Sequence, residues 1–215
     1  MSKKYIAIIG DIKGSRKIIN REEFQKKFKQ AMEKINQKYK EFIESNFTIS
    51  SGDEFQALLC FGNKTFEIIF DIELMLYPYS ARFGIGYGDV NTKINRENSL
   101  EIDGPCYHFA REMIEKVKES EKTGKIQSNY YMKMNGDLTL VNSICEFLSL
   151  VRNSWSDKQI NTIKTFRNAG FNQAKTSLCL NIGQSSVSRS LSSSKYYLFS
   201  KGIENLDNYI GEIDE

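Results

Sequence analysis

The sequence is poor in the residues on which many metalloenzymes and hydrolases depend. It has one histidine, His108, so histidine-rich metal sites and Ser-His-Asp triads have little support, and a lone histidine is more often structural than catalytic. The four cysteines are far apart and form no CxxC pair; they are Cys60, Cys106, Cys145 and Cys179. This spacing predicts reduced, mostly buried thiols of a cytosolic protein, and neither a zinc site nor a disulfide framework.

Long apolar runs are also absent. No stretch reaches the roughly 18 consecutive apolar residues that a membrane helix needs. The first apolar run stops at Gly10-Asp11, which is too short for the core of a signal peptide. We therefore expect a cytoplasmic protein that does not contact a membrane. Its 215 residues, 40% of them hydrophobic, suffice for one large domain or two smaller ones.

The net charge is only +3 at pH 7, but the charges are unevenly distributed. Residues 150–201 carry eight lysines and arginines against one acidic residue, Asp157, whereas residues 202–215 carry five acidic residues and no basic one. A basic block followed by an acidic tail is typical of a nucleic-acid-binding surface. A solvated lysine-rich surface is the alternative interpretation.

Apolar periodicity predicts alternating strands and helices up to about residue 135. The predicted strands are 4–10, 47–51, 55–61, 80–87 and 125–132, and the predicted helices are 21–45, 64–77 and 105–119. The second and third strands are joined by a tight hairpin at Gly52-Asp53-Glu54. This order predicts an α+β domain with helices packed on one face of the sheet.

From about Asp137 the strand signals disappear. Five helices are predicted there, at 137–152, 156–169, 172–181, 184–194 and 196–210. The segment Gly124–Gly136 is the best boundary between the two parts. The sequence therefore predicts a domain over residues 1–135 and an all-α domain over residues 136–215.

Two carboxylates stand out in the first part. Asp11 follows a hydrophobic strand, and Asp53 lies at the tip of the hairpin. If the two strands are neighbours, both carboxylates and the backbone carbonyl of Ile12 emerge at one edge of the sheet and can hold Mg²⁺ or Mn²⁺. The backbone amides of Gly14 and Ser15, at the start of a helix, could then bind phosphates. Alternatively, both aspartates are ordinary turn or capping residues.

Four motifs in this region resemble those of class III nucleotidyl cyclases. Residues 9–15 (IGDIKGS) resemble the first metal motif, and residues 51–55 (SGDEF) resemble both the second metal motif and the GGDEF signature of diguanylate cyclases. Residues 84–90 (GIGYGDV) resemble the strand before the substrate-facing loop, and residues 104–111 (GPCYHFAR) the helix that brings an Asn and an Arg to the phosphates. With the appended helices, the whole chain resembles the SatD family.

The resemblance implies a ferredoxin-like, palm-type sheet that binds a purine triphosphate or a derivative of one. It places Arg111 as a catalytic residue at the phosphates and Glu101 at a base-reading position. Two positions depart from the cyclase pattern, because Tyr107 stands in place of the Asn and Ile49 in place of the purine-reading Lys. Since cyclisation needs charge stabilisation at the transferring phosphate, nucleotide sensing without turnover is the favoured interpretation.

Residues 172–194 predict a helix-turn-helix that binds double-stranded DNA. Asn172 is a natural N-cap, Asn181 can adopt the left-handed turn conformation, and Val187 and Leu191 face inward. The second helix then exposes its N-terminal half, which enters the major groove in this motif. The predicted DNA contacts are Lys175, Gln184, Ser185, Ser188 and Arg189. A helical hairpin used for protein contacts is the alternative.

The sequence also predicts a homodimer. Helix-turn-helix units usually bind two half-sites as dimers, and the resemblance implies pairing with Arg111 facing the partner's metal site. The last helix offers an apolar face for such a seam at Tyr197, Leu198, Ile203, Leu206 and Ile210. Packing of this face within its own chain is the alternative.

Three functions remain open at this point. The chain is a DNA-binding transcriptional regulator whose cyclase-like domain senses a nucleotide, or a nucleotidyl cyclase or transferase that uses Asp11 and Asp53 with two Mg²⁺ ions. The third interpretation is an inactive scaffold whose α/β part serves only to dimerise. The first of these is the main prediction.

Overall fold

A computed structural model describes residues 3–50, 52–124 and 127–214, without the side chain of Asp214. Ser51, which belongs to the SGDEF motif, lies outside the described residues, as do residues 125–126 of the predicted boundary segment. The described chain is a mixed α+β structure with one five-stranded sheet and eight α-helices.

The first part of the chain has the predicted order of strands and helices. Its elements are β1 (Tyr5–Ile12), α1 (Arg21–Lys38), β2 (Ile43–Ile49), β3 (Glu54–Leu59), α2 (Thr65–Leu76), β4 (Ala81–Gly88), α3 (Pro105–Thr123) and β5 (Tyr130–Lys133). Short 3₁₀ turns lie at Ser15–Lys17 and Ser99–Glu101.

The end of α1 differs from the prediction. The helix stops at Lys38 and not at Ser45, because residues 43–49 pair with β3 as a strand. The side chain of Asn36, near the end of the helix, holds this strand in place. It accepts a hydrogen bond from the backbone N–H of Phe47 and donates one to the backbone carbonyl of the same residue. Pairing with the following strand of the hairpin thus outweighs the helical spacing of the apolar residues.

The sheet has the strand order β2-β3-β1-β4-β5. The central strand, β1, is antiparallel to both β3 and β4, and β5 pairs in parallel with β4 at the edge. In this register Asp11 lies opposite Glu54 of β3 and opposite Arg82 of β4. The three charged residues therefore form one row across the sheet.

Helices cover both faces of the sheet, so the prediction of a single covered face was wrong. Ile6 and Ile8 of β1 pack with α1 and α2, whereas Ala7 and Ile9 pack with α3. Both sets are buried, and a continuous apolar run is typical of a strand covered on two sides. At Gly84 of β4 a Cβ atom would lie 2.0 Å from a backbone oxygen of α3, so only glycine permits this approach.

The second part forms the five predicted helices. They are α4 (Thr139–Asn153), α5 (Asp157–Asn168), α6 (Gln173–Leu180), α7 (Gln184–Ser193) and α8 (Tyr196–Asp214). Their core is continuous with that of the sheet, since Phe70 of α2 meets Trp155 and Phe199 edge-on, with ring centroids 5.9 and 4.9 Å away. The division into domains at residue 135 stays a prediction. Among the described helices, none has both the length and the apolarity to cross a bilayer.

Helix α8 corrects the predicted dimer seam. Ile203, Leu206 and Ile210 are buried within their own chain, and only Tyr197 and Leu198 of that set are exposed. The acidic tail is not wholly solvated either. The buried carboxylate of Asp207 accepts hydrogen bonds from the first N–H groups of α2, at distances of 2.7 and 3.0 Å. One face of helix α8 thus packs within its own chain, and Asp207 on this helix caps α2.

The cysteines and the histidine mostly follow the sequence-based expectations. None of the four cysteines forms a disulfide; Cys106 and Cys145 are buried and Cys60 is half-buried, whereas Cys179 is exposed. His108 is exposed, and its Nε2 lies 3.0 Å from a carboxylate oxygen of Asp103. His108 and Asp103 therefore form a hydrogen-bonded pair on the protein surface.

Candidate functional site

The aspartates of the two predicted metal motifs lie at the same edge of the sheet. Asp11 is near the end of β1, and Asp53 lies in the hairpin between β2 and β3. The backbone N–H of Ile12 donates to the carbonyl of Asp53 at 2.9 Å, and Ser15 Oγ donates to Asp53 Oδ2 at 2.5 Å. The fold therefore brings Asp11, Ile12, Ser15 and Asp53 together. Their roles in binding stay predictions.

Asp11 is held by an arginine that sequence reasoning missed. Arg82 Nη1 donates to Asp11 Oδ2 at 2.5 Å, while the Arg82 Nε donates to Glu121 Oε2 at 2.8 Å. Lys13 completes this network through a 2.6 Å salt bridge to Glu121. The only sequence signal for Arg82 is its register opposite Asp11, which becomes readable once β1 and β4 are known to pair.

Burial shapes the chemistry of Asp11. The pKa of its carboxyl is raised, first because the group is buried and also because the charge of Asp53 is near. The hydrogen bond and the charge of Arg82 act in the opposite direction. Burial therefore disfavours the ionised form of Asp11, and the neighbouring positive charge favours it.

Arg111 lies beside the site that Asp11 and Asp53 of the same chain form. It projects from α3, is about half exposed, and donates from Nη1 to Glu54 Oε1 at 2.6 Å. Because Glu54 lies opposite Asp11 in the sheet register, the guanidinium is next to the row of carboxylates. It remains accessible to a ligand from solvent.

The segment at Gly14 and Ser15, whose amides are predicted to bind phosphates, differs from the prediction in its local structure. Gly14 adopts a left-handed conformation with φ 64° and opens only the short 3₁₀ turn Ser15–Lys17, because the chain becomes extended at Ile18. The next α-helix begins at Arg21. The prediction that Gly14 and Ser15 start a helix was wrong in this respect. A phosphate would meet single N–H groups here, without the dipole of a long helix.

The two positions that depart from the cyclase pattern are buried or half-buried. Tyr107 is buried in the core between the sheet and α3, and Ile49 is half-buried against the other core. Glu101 is exposed and accepts hydrogen bonds from the side-chain amides of Asn95 and Asn98, which lower its pKa. These contacts do not connect Glu101 with Asp11 or Asp53.

The oxygen donors at this edge suit a hard divalent cation. Among the described residues, no three or more His, Cys, Asp or Glu side chains form a metal cluster. The carboxylates of Asp11 and Asp53 and the carbonyl of Ile12 are nevertheless ligands that Mg²⁺ and Mn²⁺ prefer. Magnesium is often bound through one or two carboxylates, with waters and phosphate oxygens completing its shell. The donor set therefore fits Mg²⁺ or Mn²⁺ together with a nucleotide.

A second candidate site lies on α6 and α7. The side chain of Asn172 accepts a hydrogen bond from the backbone N–H of Lys175 and so caps α6. Asn181 ends α6 in the left-handed conformation, with φ 52° and ψ 47°. Val187 and Leu191 are fully buried and fix α7 on the neighbouring helices. The turn and its capping residues have the geometry that the sequence predicts.

The predicted DNA contacts lie on the outer side of these helices. Gln184, Ser185 and Arg189 are exposed, as is Lys175, and Ser188 is half-buried. Within the part of the chain that the structure describes, Arg189 has no ion pair. Glu204 pairs with Lys201 and Asp207 caps α2, so neither of these carboxylates of the last helix is paired with Arg189.

Comparisons with known proteins identify a family and find several solved structures with partial similarity. The model of the SatD family matches residues 5–206, and no curated protein matches the sequence. Among solved structures, a bacterial light-regulated adenylyl cyclase is similar with 17% identity over 60% of this chain and 75% of that chain, with a TM-score of 0.42.

Two guanylyl cyclase structures are similar to a comparable extent. The catalytic core of a rhodopsin-guanylyl cyclase with converted specificity, in complex with ATPalphaS, has 13% identity over 53% of this chain and 72% of that chain, with a TM-score of 0.40. The non-canonical dimeric guanylyl cyclase domain of a fusion protein from the aquatic fungus Blastocladiella emersonii has 13% identity over 53% and 74%, with a TM-score of 0.41. The likeness concerns the fold alone.

Proposed function

This chain belongs to the SatD family, and from that premise we propose that it binds a purine nucleotide together with Mg²⁺ or Mn²⁺ at a cyclase-like site. One observation carries this proposal. Asp11 and Asp53 lie at one edge of the sheet, where the backbone N–H of Ile12, next to Asp11, donates to the carbonyl of Asp53 and the hydroxyl of Ser15 donates to the Asp53 carboxylate. The motif residues thus converge although about forty positions separate them in the sequence.

The residues of this edge have complementary roles in the proposal. Asp11, Asp53 and the Ile12 carbonyl would hold the cation, which supplies positive charge to phosphate oxygens when bound. Arg111 would turn from Glu54 to the phosphates, because an anionic ligand competes with one exposed carboxylate for its guanidinium. The N–H groups at Gly14 and Ser15 would bind a further oxygen.

Sensing without turnover is the form of this function that we favour. Tyr107 is buried and cannot take the place of the amide that cyclases bring to the phosphates. Arg111 alone then provides only part of the charge stabilisation that a phosphoryl transition state requires. A cyclase or nucleotidyltransferase remains the second interpretation, and an inactive dimerisation scaffold the third.

DNA binding by α6 and α7 is the second candidate function, and it would make the chain a nucleotide-responsive regulator. The observation in its favour is Arg189, which has no ion pair among the described residues and projects from the middle of a helix whose inner face is fixed by Val187 and Leu191. An arginine in this position can donate two hydrogen bonds to guanine. Lys175 on the preceding helix would contact phosphate.

A homodimer would form through α4 and not through the face of α8 that is buried. Leu140, Ile144, Phe147 and Leu150 lie on one side of α4 and are 80, 40, 70 and 68% exposed. Exposed apolar patches of this kind mark interaction sites. These four residues carry no charge, so the same stripe on a second copy can meet them about a two-fold axis without repulsion.

Titration calorimetry with ATP and with GTP, each with and without MgCl₂, tests the proposed function. We expect one purine nucleotide to bind with a strong dependence on MgCl₂. Absence of divalent-dependent binding for both would contradict the proposal and support the scaffold. Mass spectrometry of the same mixtures separates the two remaining interpretations, because a sensor returns the triphosphate unchanged and a cyclase releases a cyclic product.

A further inference from the structure

A cleft with a volume of about 730 Å³ opens between α1, α2 and α5. Its walls come from both parts of the chain, since α1 and α2 cover the sheet and α5 precedes the α6–α7 pair. None of its lining residues belongs to the Asp11–Asp53 edge. The cleft is therefore a separate feature of the molecule.

The acidic residues of this cleft are already engaged. The buried carboxylate of Asp71 accepts hydrogen bonds from Lys38, from the hydroxyl of Tyr39 and from the guanidinium of Arg167. These contacts hold the pKa of Asp71 below its usual range despite its burial. Glu67 pairs with Lys64 at 2.6 Å. Both carboxylates that line the cleft are therefore already paired, and neither pairs with the remaining lysines of the cleft.

Three lysines of the cleft, in contrast, lack a salt bridge. Among the described residues, Lys27, Lys34 and Lys164 have no carboxylate within salt-bridge distance, and Lys27 donates only to a backbone carbonyl at the end of α2. The pKa of Lys27 is lowered, first by burial and then by repulsion from Lys164, and the nearby charge of Glu23 only partly opposes this. Like charges held close together around a concave space favour an anionic ligand.

An aromatic ring stands at the side of this cluster. Phe171 lines the cleft, is 56% exposed, and adopts a left-handed backbone conformation with φ 60°. A bulky residue in that conformation costs free energy, and such strain concentrates at ligand-binding sites. The guanidinium of Arg167 lies 5.6 Å from the centre of its ring and orients it. The amides of Gln30 and Asn168 also line the cleft and offer donors and acceptors to a base.

We propose that this cleft binds a nucleoside phosphate without a divalent cation, as a second ligand site distinct from the Asp11–Asp53 edge. Lys27, Lys34 and Lys164 bind the phosphates, and Phe171 stacks on the base. Because Lys164 and Phe171 flank the end of α5 and the others lie on α1, the ligand bridges the two parts of the chain. Binding therefore stabilises the packing of α5, which contacts α6 and α7, against α1 and α2.

Titration calorimetry of the full chain with ATP in EDTA tests this site, because EDTA removes any contribution that needs a divalent cation. We expect one ATP per chain to bind in EDTA, and Asp11→Ala to leave that binding unchanged. The double variant Lys34→Gln/Lys164→Gln should weaken ATP by about tenfold or more. The matched control is Lys26→Gln/Lys29→Gln, which removes two exposed lysines of α1 outside the cleft and should leave affinity within about twofold.

A second experiment tests whether the cleft binds the base of the nucleotide. Phe171→Ala should reduce the preference for ATP over inorganic triphosphate, since only the nucleoside can stack on the ring. Equal affinity for ATP and triphosphate in the wild type would overturn the assignment of a nucleoside. Each of three results would overturn the proposal. The first is that ATP does not bind in EDTA, and the second is that the cleft and control variants lose the same amount of ATP affinity. The third is that the cleft lysines bind duplex DNA and not ATP. A matching thermal unfolding curve for each variant excludes loss of the fold.

Discussion

The carboxylate of Asp11 and the guanidinium of Arg82 form a salt bridge across neighbouring strands, with 2.5 Å between Oδ2 and Nη1. Arg82 also binds Glu121, so it links the central strand to α3. Only one oxygen of Asp11 takes part in this bond. A divalent cation at the edge of the sheet would therefore share Asp11 with Arg82 and take over part of its electrostatic role.

The first prediction concerns this pair. Arg82→Ala leaves the partly buried carboxylate of Asp11 without its salt-bridge partner and that of Glu121 with Lys13 alone, and should lower the free energy of unfolding by about 1–3 kcal/mol in EDTA. The melting temperature should then rise more with MgCl₂ in the variant than in the wild type. Arg96→Ala is the control, because Arg96 pairs with Glu44 while largely exposed and should cost at most about 1 kcal/mol. An equal response of all three proteins to MgCl₂ would place the cation elsewhere.

The second prediction concerns the pH dependence of stability. Burial raises the pKa of Asp207 from 3.8 to about 7, although hydrogen bonds from the N–H groups of Phe66 and Glu67 oppose the rise. The folded state thus binds the proton more tightly than the unfolded chain does. The stabilising contribution is complete below about pH 4 and is lost as pH rises through about 7.

Asp207→Asn removes this titration and keeps one acceptor for the end of α2. Urea unfolding between pH 4 and 7.5 should show that the variant loses less free energy of unfolding with rising pH than the wild type, by on the order of 2–4 kcal/mol. Glu204→Gln is the control, because Glu204 is exposed on the same helix. The same pH dependence in wild type and Asp207→Asn would show that Asp207 does not titrate in this range.

The third prediction separates base reading from phosphate contact on α6 and α7. Arg189→Lys keeps the charge but loses the planar guanidinium, so it should lose about 1–3 kcal/mol of discrimination between specific and non-specific DNA. Lys175→Ala should weaken binding to all sequences alike and lower the salt slope by about one unit. Fluorescence anisotropy at several salt concentrations measures both quantities. An unchanged specificity ratio in Arg189→Lys, with wild-type stability, would rule out base reading by Arg189.

The fourth prediction concerns assembly. Phe147→Glu places a charge in the middle of the apolar stripe on α4 and should convert a dimer into monomers, because the charge would be buried in the seam. Leu178→Glu changes an equally exposed leucine on α6 and should leave the dimer intact. Light scattering at micromolar concentration gives the masses. A monomeric wild type, or a dimeric Phe147→Glu variant, would exclude α4 as the seam.

Local chemistry made much of this fold predictable from the sequence. The element order follows from apolar periodicity, and the boundaries of α6 and α7 follow from Asn172 as a cap and Asn181 as a left-handed turn residue. Ser156, which caps α5 in a capping box with Gln159, has an equally local signal. These features depend on neighbours a few residues away, which a sequence shows directly.

Features that depend on distant partners could not be predicted in the same way. Helix α1 ends early because β2 pairs with β3, and Asp207 is buried because α8 packs on α2. The pairing of Arg82 with Asp11 needs the register of β1 and β4. The cleft is formed by three helices that are far apart in the chain, so its lysines appear in the sequence only as scattered surface charges.

The central claim is that Asp11 and Asp53 hold a divalent cation for a nucleotide, and calorimetry of Asp53→Ala tests it most directly. Asp53 bonds to Ser15 and not to Arg82, so its replacement does not orphan the arginine. We expect the MgCl₂-dependent part of nucleotide binding to be lost in Asp53→Ala and in Asp11→Ala, while any binding in EDTA persists and the fold stays intact. Unchanged MgCl₂-dependent affinity in both variants would contradict the account.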